Sequence, residues 1–320
     1  MYPKVAIVTT LINAGPVLEY FINYHLRIGF NHLFLFFDDP NDSAIRIARQ
    51  YDAVTVICKD EKLLRRWRKT RLYQRNSAYH KFVHTEVMAR QLLNVEIAVQ
   101  MALKKNISWL LHIDVDELFY SPHMSVQEHF LSLSGKRSVT YLNHEAVPEA
   151  IEIQNYFSEV SLFKKNTSVL DLSQIAFINK QVAFNFGAKY FLYYSAGKSA
   201  AQVNENLFPV SVHAFYDDFE HISTDPVILH YPVCGFKHFW DKYRTLGDFS
   251  DKWFDEISIG NNVPFHLQAR NEIYKNDQQS ALSFYRKYIM LDNEEFIAEC
   301  ISKKLFFRRK ESYAGEVKDY

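Results

Sequence analysis

Four short apolar runs, the first three each followed by a helix-patterned stretch, constrain this chain more than any other feature. Val5–Thr10, Leu33–Phe37, Val54–Ile57 and Ser108–Ile113 are strand-sized and rich in β-branched or aromatic residues. Continuous apolar runs of that length read as strands buried on both faces. After the first run, Pro16 suits a first helical turn, and Val17, Leu18, Phe21, Ile22, Tyr24 and Leu26 form an apolar stripe. Gly29 then stands where a helix C-cap glycine belongs. Ser43 caps a short helix through Gln50, and a long helix is predicted over about Phe82–Lys104. The βαβαβ order with short connections implies an α/β fold with a largely parallel sheet between helices. Ligands of such sheets collect outside the carboxyl ends of the strands.

Beyond residue 120 the pattern loosens. Val139–Leu142, Val160–Phe163, Tyr190–Tyr194, Val210–Phe215 and Val227–His230 read as strands, followed by helical patterns at about 236–249, 265–290 and 293–306. The expected organisation is one α/β domain over residues 1–250 with a helical extension, residues 251–320, packed on it. Lys+Arg and Asp+Glu both number 37, so no global field draws the chain to nucleic acid. Nine glycines in 320 residues leave no room for several glycine-rich phosphate loops. Three cysteines, Cys58, Cys234 and Cys300, contain no C-x-x-C pair, which argues against a disulfide scaffold or zinc ribbon and fits a reducing compartment. The start of the sequence lacks a signal-peptide pattern, and no apolar stretch nears the roughly 20 residues of a membrane span. A soluble, cytoplasmic protein is expected.

Chemistry concentrates at Asp114-Val115-Asp116-Glu117, directly after the fourth apolar run. Strand alternation predicts that Asp114 and Asp116 share a side while Val115 points to the core. Like charges so close need a cation or a hydrogen-bond network to compensate them. Hard oxygen ligands favour Mg²⁺ or Mn²⁺, ions that bridge a few carboxylates to substrate phosphates. Asp38 and Asp39, at the end of the second run, are placed to accept hydrogen bonds from a base or ribose, or else to form an Asp-Pro turn. Thr9, Thr10 and Leu11 would line a base pocket through backbone atoms.

The block VTTLINAGPVLEYFINYHLRIGFNHLFLFFDDPND resembles the start of glycosyltransferases of the family 2 and family 92 type. Tyr24-His25, Gly29, Asp38-Asp39, Asp42, Gln91, Asn94 and Asp114-Val115-Asp116-Glu117 stand at matching places. Gly197–His213, with Lys198, is similar to that family's lysine-containing segment. Residues 228–249, with His230-Tyr231, Phe239, Lys242 and Gly247, resemble its HY…F..K..rG segment. The resemblance spans residues 4–250 and implies a GT-A-like, Rossmann-like sheet. It implies a metal-dependent glycosyltransferase of the hexosyltransferase class, moving sugar from a nucleotide sugar, UDP-sugar foremost, to a glycan or glycoconjugate. On that reading Asp114, Asp116 and His230 hold Mn²⁺ or Mg²⁺, with His213 as the competing histidine. Gln91, Asn94, Lys198 and Lys242 stand on the donor side. An inverting transfer needs a general base, for which Asp217, Asp218, Glu220 and Glu117 are the candidates.

Two departures from the family pattern matter: Asn13-Ala14-Gly15 replaces an Asn-Glu turn, and Gln202-Val203 stands where Arg-Pro is usual. The basic block Arg65–Arg75, interleaved with Trp67 and Tyr73, could grip an anionic acceptor or stack on RNA. Phe306–Lys310 offers an aromatic and basic tip for peripheral membrane contact. Two other classes compete. A haloacid-dehalogenase-type phosphatase also places D-x-D after a strand, but near the start of its chain. A non-catalytic carbohydrate-binding module explains the aromatic richness, but not the clustered carboxylates.

Overall fold

The computed structural model describes residues 2–15, 17–75, 77–185, 192–215 and 221–310. The chain divides into two units, Met1–Leu142 with Ala196–Ile228, and Asn143–Ser195 with Leu229–Lys310. In the first unit the four apolar runs form β1 (Val5–Leu11), β2 (His32–Phe37), β3 (Val54–Cys58) and β4 (Trp109–His112). They pair in parallel in the order β3-β2-β1-β4. β1 and β2 are buried at every residue, which is why they read as unbroken apolar runs, whereas edge strand β3 is only half-buried.

Three further strands complete this account: β5 (Glu117–Tyr120), β6 (Ser138–Ala146) and β7 (Lys198–Gln202). β7 runs antiparallel to β4, and Ser138–Tyr141 of β6 runs antiparallel to β7. The predicted parallel-rich sheet is therefore present, extended by antiparallel strands. Strand order reverses between β1 and β4, because β2 lies on one side of β1 and β4 on the other. Such a reversal is a topological switch point, where connections leave toward opposite faces and open a crevice at the carboxyl ends.

Helix Val87–Lys104 packs against β1 and β4. It begins five residues later than periodicity suggests, because Arg71–Arg75 and Ser77–Phe82 form separate short helices before it. Its buried face includes Arg90, Gln91, Asn94 and Glu96 among apolar residues. Burying four polar side chains requires a partner for each, and those partners define the site. The basic block also differs from its sequence reading. Trp67 is buried and donates its indole N–H to Asn94, so it offers no stacking face, and Arg71 pairs with Glu96.

In the second unit, helices Phe236–Leu246, Pro264–Tyr274 and Gln278–Tyr288 share an apolar core around Phe239, Tyr243, Phe265 and Tyr285. The single helical stretch predicted over 265–290 is broken at Asn276, whose φ of 52° leaves the helical region, and Asp277 caps the next helix. Phe306–Arg308 is a strand antiparallel to Leu162–Lys164, not a helix end. Arg308 pairs with Glu149 and Arg309 donates to Tyr231 Oη, which engages the guanidinium groups proposed for a membrane tip. Among the described residues no helix is long and apolar enough to cross a membrane.

Candidate functional site

β4 ends at His112, two residues before Asp114, and the chain turns: the Glu117 N–H donates to Asp114 O at 3.1 Å. Period-two alternation therefore does not govern the carboxylates, and Val115 is half-buried instead of a core residue. Glu117 opens β5 with its side chain only 2% exposed, and its Oε2 accepts the Asp114 N–H at 2.7 Å. Asp114 has 31% of its side chain exposed and both oxygens engaged. Gln91 Nε2 donates to Oδ1 at 2.7 Å, and Lys198 Nζ to Oδ2 at 2.6 Å. Lys198, the first residue of β7, has a side chain 3% exposed and also lies 3.5 Å from Glu117.

The compensating cation thus comes from the chain itself. Burial opposes a charge on Lys198, but Asp114 and Glu117 outweigh it and hold the ammonium above the ordinary lysine range. Burial would raise Asp114, yet the adjacent Lys198 carries it below the usual carboxylate range. Glu117 moves the other way: burial, with Asp114 and Asp116 adding repulsion against the pull of Lys198, lifts it to about 8. Glu117 is thus held above the ordinary carboxylate range and turned inward. That placement does not suit the general base the sequence offered, which must reach an acceptor hydroxyl. Asp116 sits half-exposed in the turn.

Around this core stand two neutral histidines. Burial, then Lys198, lowers His112 to about 3 and His213 to about 4. His213 Nδ1 donates to Gly197 O at 2.8 Å, since a carbonyl can only accept. Thr9 Oγ1 and His112 Nε2 are buried with no hydrogen-bond partner among the described residues. Native proteins leave few such groups, and these two flank the β1–β4 switch point.

The same long helix fixes the other strand ends. Asn94 Nδ2 donates to Thr10 Oγ1 at 2.9 Å. Arg90 Nε grips both oxygens of Asp38 at 2.8 and 2.9 Å, and Lys59 adds a contact at 3.2 Å. The Asp38 N–H donates to Leu11 O at 2.9 Å, so that carbonyl is already used between β1 and β2. Asp39 accepts the Asn41 N–H, as a turn former does. Asp42 accepts from Asn13 and Ala44 N–H groups, holding the turn after β1. Asp38→Asn is expected to cost about 3 kcal/mol, the scale for stripping a buried cation of its counter-charge. Denaturant unfolding of the variant measures that loss.

Arg90 and His112 were not singled out by sequence reasoning. A lone arginine inside a helical pattern carries no local sign that its partner is 52 residues away. His230 and Lys242 belong to the second unit. The His230 ring is buried at the end of its strand with its centroid 5.3 Å from that of Tyr194, and Lys242 donates to Pro232 O at 2.9 Å. Asp217, Asp218 and Glu220 lie outside the described residues. Among the described residues no group of three or more His, Cys, Asp or Glu is placed to hold a metal ion. The set does fit an ion bound through one carboxylate plus substrate phosphates, the usual manner for Mg²⁺.

Two curated plant proteins are similar to this chain. Both are Arabidopsis thaliana proteins named glycosyltransferase-like; one is 33% identical and the other 27%, each over 96% of this chain. The chain spans 62% of the length of the first and 70% of the second. No protein-family model matches. A solved glucosyl-3-phosphoglycerate synthase from Mycobacterium tuberculosis, in complex with Mn²⁺, UDP and glucosyl-3-phosphoglycerate, overlaps 62% of this chain and 57% of its own. At 10% identity and a TM-score of 0.27 that overlap adds nothing to the argument for the site.

Proposed function

We propose that this chain is a glycosyltransferase that uses a nucleotide sugar, with a UDP-sugar as donor and a glycan or glycoconjugate as acceptor. The observation that carries the reading is the convergence of Thr10, Gln91, Asn94 and Asp114 on the β1–β4 switch point through one helix. The similarity to two glycosyltransferase-like proteins supports it. β1 residues Thr9–Leu11 would face the nucleoside. The half-exposed edge of Asp114, clamped by Gln91 and Lys198, is held ready to accept a hydrogen bond from a ligand hydroxyl. Asp116 would hold a Mg²⁺ or Mn²⁺ ion against the diphosphate. When bound, the ion supplies charge neutralisation to a nucleoside diphosphate leaving group. Asp217 or Asp218 serves as base if the transfer inverts.

A thermal-shift panel of UDP, GDP, CDP and their sugars, with and without Mn²⁺, tests this reading. A ligand at about 100 times its dissociation constant adds about 2.7 kcal/mol. Stabilisation by UDP and UDP-sugars in the presence of Mn²⁺ is the expected result, and a flat panel sinks the proposal. Asp116→Ala should abolish the metal-dependent part of that shift while leaving the ligand-free melting temperature near wild type. An unchanged nucleotide shift in that variant would remove Asp116 from the site.

A further inference from the structure

The sequence presents an acidic cluster in want of a cation, and the structure supplies one in Lys198. Its ammonium lies 2.6 Å from Asp114 and 3.5 Å from Glu117, on a side chain that is 3% exposed. The opposite oxygen of Asp114 takes the amide of Gln91 at 2.7 Å. An inner carboxylate with an ammonium on one oxygen and an amide N–H on the other is a poor ligand for a second cation. A divalent ion would have to displace the lysine charge or sit beside it, and like charges a few ångströms apart in a partly buried site repel strongly.

We infer that Lys198 is a built-in competitor for divalent metal at Asp114, so that the protein alone does not take up the ion and a nucleotide diphosphate must bring it. The lysine is a positioning residue. It holds Asp114 in the form of a hydrogen-bond acceptor for ligand hydroxyls, and it leaves the metal to the substrate phosphates with a single carboxylate. Two oxygens of a diphosphate complete what the protein withholds, in line with how Mg²⁺ and Mn²⁺ are commonly bound. The practical consequence is substrate-gated metal loading. The resting enzyme is indifferent to ambient Mn²⁺, and the ion arrives only with a ligand that carries adjacent phosphates.

This inference rests on the glycosyltransferase reading for the nucleotide, but its central test does not. Titration of the full chain with Mn²⁺ alone, followed by electron paramagnetic resonance of the free ion, should show binding no tighter than millimolar. Lys198→Met removes the competing charge while keeping an unbranched side chain of similar length. It should tighten binding of Mn²⁺ alone by about tenfold or more, the scale of removing one nearby charge from a site of intermediate dielectric. The gain should vanish in the double variant Lys198→Met/Asp114→Asn. Micromolar binding of Mn²⁺ by the wild type would overturn the inference. So would a folded Lys198→Met protein with unchanged affinity, or one whose gain survives loss of Asp114.

If Lys198→Met fails to fold, the wild type and Asp114→Asn decide. Weak and equal binding of Mn²⁺ alone supports a shielded Asp114, and a loss on Asp114→Asn refutes it. A further arm adds UDP. Loss of metal-free UDP binding in Lys198→Met would mean that the lysine touches phosphate directly, which also overturns the inference. Absence of UDP binding in every protein would instead defeat the donor assignment and leave the results with Mn²⁺ alone standing.

Discussion

Acidification below about pH 6 is expected to unfold this protein steeply, because several histidines are neutral only while it is folded. His25, His32, His129 and His144 are all buried. Burial lowers His25 to about 3 and the other three to about 4. His25 shows why protonation is incompatible with the fold. Its Nδ1 donates to Phe21 O at 2.8 Å while its Nε2 accepts the Phe119 N–H at 3.2 Å. A second ring proton would leave that amide without an acceptor. His144 Nδ1 likewise accepts the Asn166 N–H at 2.9 Å.

The sign follows from proton counts. Each ring binds fewer protons folded than unfolded once the pH drops below about 6.5, the unfolded value. Its contribution is therefore complete above that pH and is lost progressively as the pH falls toward the folded value of 3 or 4. Glu117 opposes this trend. Lifted from 4.5 to about 8, it binds more protons folded than unfolded, so its contribution grows as the pH falls through that window. His112, His213 and His266 are lowered to about 3 or 4 as well, so seven histidines against one glutamate leave about six protons taken up on unfolding, or about 8 kcal/mol per pH unit. Whole domains have only about 5–15 kcal/mol to lose. Circular dichroism against pH should show a sharp transition between about pH 6 and 4.5 with uptake of about six protons. A shallow transition confined below about pH 4 would mean that carboxylates, not buried histidines, govern acid stability.

Legibility in the sequence tracked the range of the interactions involved. β1 to β4 were readable because continuous apolar runs such as Leu33–Phe37 carry their own evidence of burial. The Asp114–Glu117 cluster was readable because three carboxylates stand together. What compensates them was not, since Lys198 lies 84 residues from Asp114 and no local pattern joins the two. Resemblance marks Lys198 as a donor-side residue, and the fold adds its partners, Asp114 and Glu117. β7 itself, Lys-Ser-Ala-Ala-Gln, is too small and polar to announce a strand and exists because β4 and β6 offer it backbone partners. The strand Phe306–Arg308 is hidden in the sequence for the same reason, its identity coming from pairing with Leu162–Lys164. Asp38 was legible as a residue at a strand end, but its engagement by Arg90 came only with the fold.

Gly197→Ala is the single substitution expected to damage fold and site together. A Cβ built on Gly197 would lie 2.1 Å from Tyr141 O and 3.0 Å from Tyr141 C, both backbone atoms of β6. Backbone in a paired strand cannot swing aside as a flexible side chain can, so the start of β7 must move. Overpacking a core commonly costs about 1–3 kcal/mol; with a backbone oxygen as the obstacle, about 4 kcal/mol or more is expected, in the range reserved for severe changes. The displacement acts on chemistry because Lys198 follows directly, and because Gly197 O receives the His213 ring N–H. Moving β7 by even an ångström draws the Lys198 ammonium away from Asp114, now 2.6 Å distant, and leaves that carboxylate to other cations. Denaturant unfolding of Gly197→Ala measures the first effect. Titration of the folded fraction with Mn²⁺ alone measures the second, which should follow Lys198→Met in direction. A variant with wild-type stability would show that the β6–β7 contact is slack, and the close approach of Lys198 to Asp114 would then need a different support.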